Sequence, residues 1–368
     1  MRIGYDSKRY FLNKTGLGNY SRDLIRILEE YYPENDYIKY TPKVKENLPE
    51  DNTTKLPRGP LSILFPSIWR NNWIVKDLVK DNIQIYHGLS GEIPQGLENT
   101  SIKSVVTIHD LIFLKFPELY KPIDRILYNQ KFKFAVNNAD KIIAISEQTK
   151  KDIVEYYNID ANKIEVIYQG CHPAFKKKKS QEEKERIRTK YNLPKSFLLN
   201  VGSIEPRKNA LQIVKAIENI DIPLVIIGKE TKYSAQIQQY IQEKGLQHRV
   251  HILQGFTMDE LACIYTMADI FIYPSKYEGF GIPIIEALYS GVPVITTNSG
   301  VFPEAGGPFS YYIDPENTVE IGYAINSILS NNSMRNEMIE KGLEYVKRFN
   351  DETLAKQWQE LYLSLRKD

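Results

Sequence analysis

Two glutamates, Glu278 and Glu286, stand eight residues apart in the stretch with the clearest potential for chemistry. A β-favouring apolar run precedes them. Gly279, Gly281 and Pro283 interrupt that run, so a strand should end and a helix should begin at or just after Pro283. Glu278 then lies in a glycine-rich loop and Glu286 on the first turns of the helix. Both carboxylates can therefore face one ligand, from different sides of the helix start.

A pair of carboxylates can accept hydrogen bonds from ribose and sugar hydroxyls, or one of them can stabilise an oxocarbenium-like centre. The alternative is that Glu278 caps the following helix and Glu286 is an ordinary surface residue. Glu286, however, stands between Ile285 and Ala287 in a segment apolar enough to be buried. Because a buried carboxylate needs polar partners, this position favours a binding role.

Arg207 and Lys208 are adjacent cations that follow a predicted strand, with Gly202 and Ser203 just before them and a predicted helix just after. Cations and backbone N–H groups at a helix start can stabilise a diphosphate whose negative charge grows as its bond to a sugar breaks. An Arg-Lys pair is otherwise commonly solvated, but its place in a βα turn favours the binding interpretation. No D-x-D spacing occurs, and neither cysteine nor histidine shows zinc spacing, so the sequence predicts no metal site.

The first half of the chain contributes glycines and histidines near the ends of predicted strands. Gly16 and Gly18 open a predicted helix and would let backbone N–H groups approach a phosphate or sugar; a plain glycine turn is the alternative. A dinucleotide fingerprint would need a third glycine where Ser21 stands, so the sequence gives little support for NAD. His87 and His109 each end a predicted strand. Since ligands bind at that edge, both are candidates, although a lone histidine is usually structural.

Short apolar strands alternating with helices predict an α/β protein with parallel sheets. A charged run near 175–195 is typical of a solvated linker, and a second α/β half begins after it. We therefore expect domains over 1–175 and 176–350. Residues 351–368 have apolar positions at helical spacing and predict a terminal helix, whereas residues 41–66 lack periodicity and predict a loop.

Residues 66–80 predict an amphipathic helix. One interpretation gives this helix a membrane-contacting face made of two tryptophans and three cations, Trp69, Trp73, Arg70, Lys76 and Lys80. The other interpretation packs the tryptophans onto the sheet. The two interpretations differ in the exposure that they require of the tryptophans.

The composition, with 368 residues of which 42% are hydrophobic and 26% charged, is that of an ordinary soluble globular protein. A formal net charge of +2 gives no electrostatic case for nucleic-acid binding. Cys171 and Cys263 cannot build a disulfide framework, so a reducing compartment is expected. No signal-peptide pattern is visible, and no segment approaches the roughly 20 apolar residues of a membrane span, so we expect a cytoplasmic protein.

The segment Glu278-Gly-Phe-Gly-Ile-Pro-Ile-Ile-Glu286 resembles the E-x7-E element of retaining GT-B glycosyltransferases of family 4. Other segments resemble further elements of that family in the same order, namely Gly16-Leu-Gly18, His109-Asp110, Ser146-Glu147, Gly202-Ser-Ile-Glu-Pro-Arg-Lys-Asn209 and Asn298-Ser-Gly-Val-Phe-Pro-Glu304. The resemblance implies two Rossmann-like, doubly wound parallel-sheet domains facing across a cleft. It further implies a nucleotide-sugar donor held mainly by the C-terminal domain, a last helix that crosses back to the N-terminal domain, and no cofactor.

The resemblance also implies roles for individual residues. Arg207 and Lys208 would bind the diphosphate, and Glu286 would bind the nucleotide ribose. Glu278 would lie beside the donor sugar and His109 would contact that sugar or its reacting region, which makes Glu278, His109 and Lys208 the expected catalytic residues. Further donor contacts would come from Gly16, Gly18, Ser203, Phe280, Gly281 and Ile282. Many family members carry arginine where this chain has Ser203, which leaves Arg207 and Lys208 as the main cations.

Together these expectations describe a metal-independent, retaining hexosyltransferase. It would move a sugar from a nucleotide-sugar donor to a saccharide or lipid-linked saccharide in cell-surface polysaccharide synthesis. The Pro-Arg-Lys-Asn form resembles mannosyltransferase-like members, so GDP-mannose is the expected donor. Peripheral contact with the inner face of the membrane is one option for this cytoplasmic protein. The alternatives are a GT-B nucleotide-sugar epimerase and a non-catalytic nucleotide-sugar-binding protein.

Overall fold

Two units, each built on one parallel sheet, make up the fold in the computed structural model, which describes residues 1–13, 15–44 and 52–366. The first unit contains Met1–Gly170 together with Phe349–Asp368, and the second contains Cys171–Arg348. The chain therefore leaves the first unit once and returns to it for its last helix.

The first unit contains a seven-stranded sheet with parallel pairing throughout its described strands. The strands are β1 (Arg2–Asp6), β2 (Asp36–Tyr40), β3 (Thr54–Lys55), β4 (Ile85–Gly88), β5 (Lys103–Ile108), β6 (Lys141–Ala144) and β7 (Ile164–Val166). Their spatial order is β3-β2-β1-β4-β5-β6-β7, so the direction of winding reverses between β1 and β4. The inner strands are almost completely buried, as expected for parallel strands covered on both faces.

Helices connect these strands. The longer helical segments of the first unit are Lys8–Leu12, Gly16–Tyr31, Pro60–Leu64, the consecutive segments Pro66–Ile68, Trp69–Trp73 and Ile74–Lys80, then Ile112–Lys115, Pro122–Asn138, Glu147–Tyr157 and Asp351–Ser364. The terminal helix buries Trp358 and Leu361 against Tyr5 and Leu24, in one hydrophobic cluster of the first unit. The C-terminal segment is therefore part of the core that supports β1.

The second unit contains a six-stranded parallel sheet. The strands are β8 (Leu198–Val201), β9 (Leu224–Ile227), β10 (Val250–Leu253), β11 (Ile270–Tyr273), β12 (Val294–Thr297) and β13 (Tyr311–Ile313). Their order β10-β9-β8-β11-β12-β13 is that of a doubly wound nucleotide-binding fold, with the reversal between β8 and β11. The predicted α/β fold class with doubly wound parallel sheets is confirmed.

The helices of the second unit cover an aliphatic core. They are Gln181–Tyr191, Ala210–Ala216, Ser234–Glu243, Met258–Tyr265, Ile282–Tyr289, Phe302–Gly306, Thr318–Ser330 and Asn332–Tyr345. Two of them begin with a complete capping box, in which Ser180 pairs with Glu183 and Thr257 with Glu260. The core is dominated by isoleucine, leucine and valine from strands and helices together.

The structure corrects one sequence-based expectation about residues 41–66. Residues 41–66 were expected to form a loop, yet they contain β3 and the helix Pro60–Leu64; residues 45–51 lie outside the described residues. Among the described residues, no helix is both long and apolar enough to cross a membrane.

Of the two interpretations of residues 66–80, the membrane-contacting face is wrong for Trp69 and Arg70, and packing onto the sheet is right for Trp69. Trp69 is 1% exposed and its Nε1–H donates to Asp77 over 2.7 Å, so it packs onto the sheet. Arg70 is also buried, where its Nε–H donates to Asp6 over 3.0 Å and its Nη1–H to Glu92 over 2.6 Å. A buried guanidinium needs such carboxylate partners, and β1 supplies one of them from its last residue.

Candidate active site

The loops that follow β8 and β11 form the centre of the candidate site. These strands are parallel neighbours, and the winding reverses between them. Ligands of open parallel sheets bind at the carboxyl edge beside such a reversal. The two loops are tied together because the Lys276 N–H and the Ser275 hydroxyl donate to the Arg207 carbonyl, over 2.9 and 3.3 Å. The fold therefore brings the Arg-Lys loop and the glutamate loop to one place.

One carboxylate oxygen, Oε1 of Glu278, is contacted by four donors. Arg207 Nη1 lies 2.8 Å from it and Lys208 Nζ 3.1 Å. The hydroxyls of Tyr273 and Ser275 each donate to it over 2.9 Å. Lys208 Nζ also donates to the Tyr273 oxygen over 2.7 Å. Two predicted cations and the first predicted carboxylate thus form one cluster, and their side chains are 13–16% exposed.

Opposite charges keep this cluster ionised despite its burial. Burial alone would raise the pKa of Glu278, but the charges of Lys208 and Arg207 outweigh it and lower that pKa to about 2. Burial alone would lower the pKa of Lys208, but the charge of Glu278 raises it above its usual value. With Arg207 also charged, two cations face one anion at neutral pH, and the cluster is net positive.

Tyr273 and Ser275 are functional candidates that the sequence reasoning missed. Tyr273 is the last residue of β11; its ring is buried, and its hydroxyl bridges Lys208 and Glu278. Burial raises the pKa of this hydroxyl, so it stays protonated and can donate to the carboxylate. The available signal was its position at a strand end on the binding edge, the same rule that selected His109.

Replacing Tyr273 by phenylalanine should lower the rate of sugar transfer about tenfold, because a hydrogen bond to a charged group contributes roughly 1.5 kcal/mol or more. The ring would keep its packing, so the melting temperature should fall only by the loss of the hydrogen bond, about 2–4 °C per kcal/mol. Steady-state transfer kinetics and thermal unfolding measure the two effects. The matched control is Tyr240→Phe, which removes another tyrosine–glutamate hydrogen bond, to Glu218, elsewhere in the unit. Equal losses in both variants would contradict a specific role for Tyr273.

Glu286 is buried, as its apolar neighbours predicted. It is 8% exposed on the helix Ile282–Tyr289, and its Oε2 accepts a hydrogen bond from the Tyr265 hydroxyl over 3.0 Å. Burial raises the pKa of Glu286 to about 7, although the Tyr265 hydrogen bond acts in the opposite direction. The surface-residue alternative is therefore wrong. At neutral pH this carboxyl is balanced between its neutral and ionised forms.

The raised pKa of Glu286 predicts a specific pH dependence of stability. Between its ordinary pKa of 4.5 and about 7 the folded state binds the proton more tightly than the unfolded state, so the stabilisation present at low pH is lost as pH rises through 7. Glu286→Gln cannot titrate. The free energy of unfolding of Glu286→Gln, measured relative to the wild type, should therefore rise by about 3 kcal/mol between pH 4.5 and 8. Urea unfolding across this range measures the difference.

The matched control for this measurement is Glu340→Gln, which changes an exposed glutamate on another helix. It should follow the wild type at every pH. A constant difference between wild type and Glu286→Gln across the pH range would contradict the assigned pKa.

The glycine-rich loop ends in a helix N-terminus. Gly281 has a φ of 107°, a conformation that favours glycine, and the helix begins at Ile282, one residue before the predicted Pro283. Phe280 is buried and Ile282 half-buried. The backbone N–H groups at this end carry the partial positive charge of a helix start, next to the cation–carboxylate cluster in sequence.

Gly202 allows Lys208 to pack close to the backbone. A Cβ at Gly202 would lie 2.9 Å from the Lys208 Cδ, so a side chain here would displace the lysine. Ser203 follows and is half-buried. Arg207 and Lys208 form a short turn, after which Asn209 takes a left-handed conformation and its side-chain amide donates to the Pro315 carbonyl over 2.6 Å. The loop is therefore held at both ends.

Gly16 and Gly18 begin a helix in the first unit, as predicted. The helix is Gly16–Tyr31, and a Cβ at Gly18 would lie 1.9 Å from the Asn13 carbonyl oxygen, so only glycine fits. A Cβ at Gly16 would meet open space. Arg22 Nη1 donates to the carbonyls of Tyr10 and Asn13, over 2.7 and 2.9 Å, and pins the segment before the glycines.

The two histidines have different surroundings. His87 is completely buried, with its ring nitrogens 2.8 Å from the Tyr362 hydroxyl and 2.7 Å from the Thr107 hydroxyl, so it is a structural residue. His109 is half-buried after β5, and its Nε2 lies 2.9 Å from the Leu89 carbonyl. Burial lowers the pKa of His109 to about 4, so the ring is neutral at pH 7. A neutral ring that donates from Nε2 has Nδ1 as an acceptor.

The predicted site residues thus divide between the units. Arg207, Lys208 and Glu278 are in direct contact within the second unit. Gly16, Gly18 and His109 belong to the first. Over residues 1–13, 15–44 and 52–366, no group of three or more histidine, cysteine, aspartate or glutamate side chains is arranged to hold a metal ion.

Two Rossmann-type units, the second with a cation–carboxylate cluster at its switch point, match the architecture of GT-B glycosyltransferases. Sequence comparison leads to the same class. The family described as "Glycosyltransferase Family 4" matches residues 15–175, and "Glycosyl transferases group 1" matches residues 181–345. The chain is 30% identical to the Escherichia coli O-antigen chain mannosyltransferase B over 372 residues, which covers 93% of this chain and 94% of that protein. The chain belongs to the family 4, group 1 glycosyltransferases.

Solved structures agree on the fold. Sucrose-phosphate synthase from Thermosynechococcus elongatus superposes with a TM-score of 0.80 at 23% identity, covering 99% of each chain. Anabaena HepE, solved in complex with UDP-glucose, gives a TM-score of 0.77 at 18% identity, covering 99% of this chain and 100% of that one. At these identities the likeness concerns the fold alone.

Proposed function

We propose that this glycosyltransferase moves a sugar from a nucleotide-sugar donor to a saccharide or lipid-linked saccharide in cell-surface polysaccharide synthesis. The first donor to test is GDP-mannose. The transfer would retain the anomeric configuration and need no metal or other cofactor. The cation–carboxylate cluster of Arg207, Lys208 and Glu278 carries the proposal, because it joins diphosphate-binding charge to a sugar-binding carboxylate at the switch point. The E. coli mannosyltransferase relative supports the choice of sugar and pathway.

The two cations supply what a departing nucleoside diphosphate requires. Negative charge grows on the diphosphate as the glycosidic bond breaks, and fixed cations stabilise it without reorganisation. The Lys208 ammonium donates two of its N–H groups to Tyr273 and Glu278. An ammonium has three N–H donors, so the third can bind a phosphate oxygen. Arg207 and the backbone N–H groups of Gly281 and Ile282 would complete the diphosphate site. Pro283 has no N–H, and the Ile284 N–H already donates to the Gly281 carbonyl over 2.9 Å. This arrangement supports metal-independent catalysis.

Glu278 would act on the sugar through its other oxygen. Oε1 already has four donors around it, which fills its acceptor capacity. Oε2 would accept a hydrogen bond from a hydroxyl of the donor sugar, while the negative charge of the carboxylate stabilises the oxocarbenium-like centre. Front-face attack fits this assignment, since the leaving phosphate oxygen can take the acceptor proton and the protein need only fix geometry and charge.

The remaining predicted residues would bind the rest of the donor and the acceptor. When ionised, Glu286 would accept hydrogen bonds from both ribose hydroxyls. His109 is neutral, and its Nδ1 lies 3.5 Å from the Gln169 side-chain amide. A sugar hydroxyl would replace that amide as the donor to Nδ1, so His109 would bind the sugar rather than transfer a proton at neutral pH. Gly16 would offer its backbone N–H group to the diphosphate or acceptor. The Gly18 N–H already donates to the Thr15 carbonyl over 3.0 Å, so Gly18 would contribute only the close approach of the backbone. These roles rest on the family resemblance and on the chemistry of each group.

A donor screen followed by product NMR tests the proposal. GDP-mannose should raise the melting temperature more than UDP-sugars do, and incubation with a saccharide acceptor should give an α-mannoside from the α-linked donor. Protection by UDP-sugars alone would reject the mannose assignment, and an inverted product would reject retention. Release of an isomerised sugar without acceptor would indicate an epimerase, and binding without turnover would indicate a non-catalytic protein.

A further inference from the structure

Tyr20 lies on the helix Gly16–Tyr31, two residues after Gly18, and its ring packs against the imidazole of His109. The two ring centroids are 4.5 Å apart and the ring planes cross at 88°, which is the edge-to-face geometry that aromatic pairs prefer. Tyr20 is 7% exposed, so this contact is formed inside the first unit. It joins a side chain behind the glycine loop to the candidate catalytic histidine.

The other contacts of His109 hold its backbone and its ring nitrogens. The Thr149 hydroxyl donates to the His109 carbonyl over 3.3 Å. In the ring, Nε2 is 2.9 Å from the Leu89 carbonyl, whereas Nδ1 is 3.5 Å from the Gln169 amide, the longest of these contacts. A ring held mainly at one nitrogen can still turn about that hydrogen bond. The Tyr20 ring removes this freedom because it packs against the imidazole directly.

A chain of hydrogen bonds holds Tyr20 in turn. The Tyr20 hydroxyl is 3.2 Å from the Thr107 hydroxyl on β5, which is 2.7 Å from Nε2 of His87 on β4. On the other side of that imidazole, Nδ1 is 2.8 Å from the Tyr362 hydroxyl of the terminal helix, and this hydroxyl is 3.3 Å from the Tyr5 hydroxyl of β1. All five side chains are buried, and we call them the buried polar chain.

Burial makes the buried polar chain costly to break. Burial lowers the pKa of His87 to about 3, so its ring is neutral, with one nitrogen as donor and the other as acceptor. Both of its partners are hydroxyls, which can take either role. A hydroxyl that left the chain would leave a buried polar atom unpaired, at a cost of roughly 1–3 kcal/mol. The bond to Thr107 therefore keeps the Tyr20 ring against His109.

We propose that Tyr20 is a positioning residue for the transfer reaction, because its ring holds the His109 imidazole where Nδ1 can accept a hydrogen bond from the donor sugar. The buried polar chain keeps the Tyr20 ring in place, so the terminal helix contributes to the geometry of the site through Tyr362. This inference rests on the proposed function, in which His109 contacts the sugar. Its structural part can be measured without substrate, since every contact lies within the first unit.

Histidine NMR on the full-length, ¹⁵N-labelled protein measures the positioning. The chain has five histidines, so the signals that disappear in His109→Gln identify this ring. In the wild type the proton should stay on Nε2, and the ring should remain neutral down to about pH 4. In Tyr20→Leu the ring should gain freedom and solvent, so both tautomers should appear and its pKa should rise above about 5, although the charge of Arg9 still lowers it.

Transfer kinetics should follow the same order. Tyr20→Leu should lower kcat about tenfold, because a misplaced group at the reacting end slows the chemical step. The KM for the donor should change less than about threefold, since the cluster of the second unit provides the diphosphate contacts. Tyr20→Phe keeps the ring but loses its bond to Thr107. Its kcat and its His109 signals should therefore fall between those of the wild type and Tyr20→Leu.

The matched control is Tyr37→Leu, which removes another buried tyrosine from the same hydrophobic cluster. It should lower the melting temperature about as much as Tyr20→Leu does, while its His109 signals and kcat stay those of the wild type. The proposal is overturned if the folded Tyr20 variants keep wild-type His109 signals or wild-type kcat. It is also overturned if Tyr37→Leu changes both as much as they do, because Tyr20 would then be core packing alone. If the wild type transfers no sugar, the proposed function fails, and the NMR comparison still decides whether Tyr20 positions His109.

Discussion

Replacing Lys208 by methionine is expected to lower the rate of sugar transfer by about 10²–10³-fold, the typical effect of removing one preorganised donor from a developing anion. Methionine keeps most of the side-chain length and can still pack against Gly202. It removes the cation that reaches Glu278 over 3.1 Å and Tyr273 over 2.7 Å. Affinity for the nucleoside diphosphate should fall as well, because its phosphate loses a direct partner. Initial rates and calorimetric titration with the diphosphate measure the two losses.

The matched control is Lys276→Met. Lys276 lies on the neighbouring loop, but its ammonium is largely exposed and pairs with Glu316 at the surface. Its replacement should leave rate and affinity within about twofold of the wild type, since exposed pairs contribute little. If Lys208→Met keeps more than a tenth of the wild-type rate, the Lys208 ammonium does not stabilise the departing diphosphate as proposed. Equal losses in both variants would point to general weakening of the loops.

The centre of the candidate site was predictable because it depends on strand ends. Parallel strands bring their carboxyl ends to one edge, and in a doubly wound sheet β8 and β11 are neighbours, so the residues that follow them meet. Arg207 and Glu278 were selected in this way, and they are in contact. The burial of Glu286 followed equally directly from its apolar neighbours in the sequence.

The partners within the site were not predictable from the pattern. Tyr273 is the last residue of β11 and Tyr265 the last residue of the helix Met258–Tyr265, and neither position specifies a partner in the site. Their hydroxyls reach Glu278 and Glu286 because of side-chain directions that periodicity does not specify. The pKa of about 7 for Glu286 likewise depends on the depth of burial and on one hydrogen bond.

The errors in the first unit have a related cause. An amphipathic pattern shows that a helix has two faces, but not which face the sheet covers. Trp69 and Arg70 were candidates for a membrane face, yet both side chains are buried. The guanidinium of Arg70 can be buried because Asp6, at the end of β1, accepts its hydrogen bond. The apolar residues that stay exposed, such as Leu61 and Ile63, lie in a stretch whose weak periodicity suggested a loop. Their exposure is a tertiary property.

Glu278→Gln should separate donor binding from transfer. The wild-type carboxylate, with a pKa lowered to about 2 by the neighbouring cations, remains charged at any pH suitable for assay. It therefore competes with a diphosphate for Arg207 and Lys208. Glutamine keeps the shape and removes the charge, so the diphosphate should bind at least as tightly as it does to the wild type. The rate of transfer should nevertheless fall by about 10³-fold, because the charge facing the oxocarbenium-like centre is gone.

The variant should also lose stability in the absence of ligand, since two adjacent cations are left without their anion. Glu278 has a depressed pKa, so its contribution to stability is complete above the ordinary pKa of 4.5 and is lost as pH falls towards 2. The deficit of Glu278→Gln should therefore be largest at neutral pH, shrink on acidification, and be reversed at pH 7 by added nucleoside diphosphate. Glu205→Gln is the control, because Glu205 is 3.9 Å from Arg207 and 43% exposed. If Glu278→Gln instead binds the diphosphate tenfold more weakly, Glu278 orders the two cations for the phosphate rather than competing with it. The charge of Glu278 would then serve donor binding, and a different group would have to stabilise the oxocarbenium-like centre.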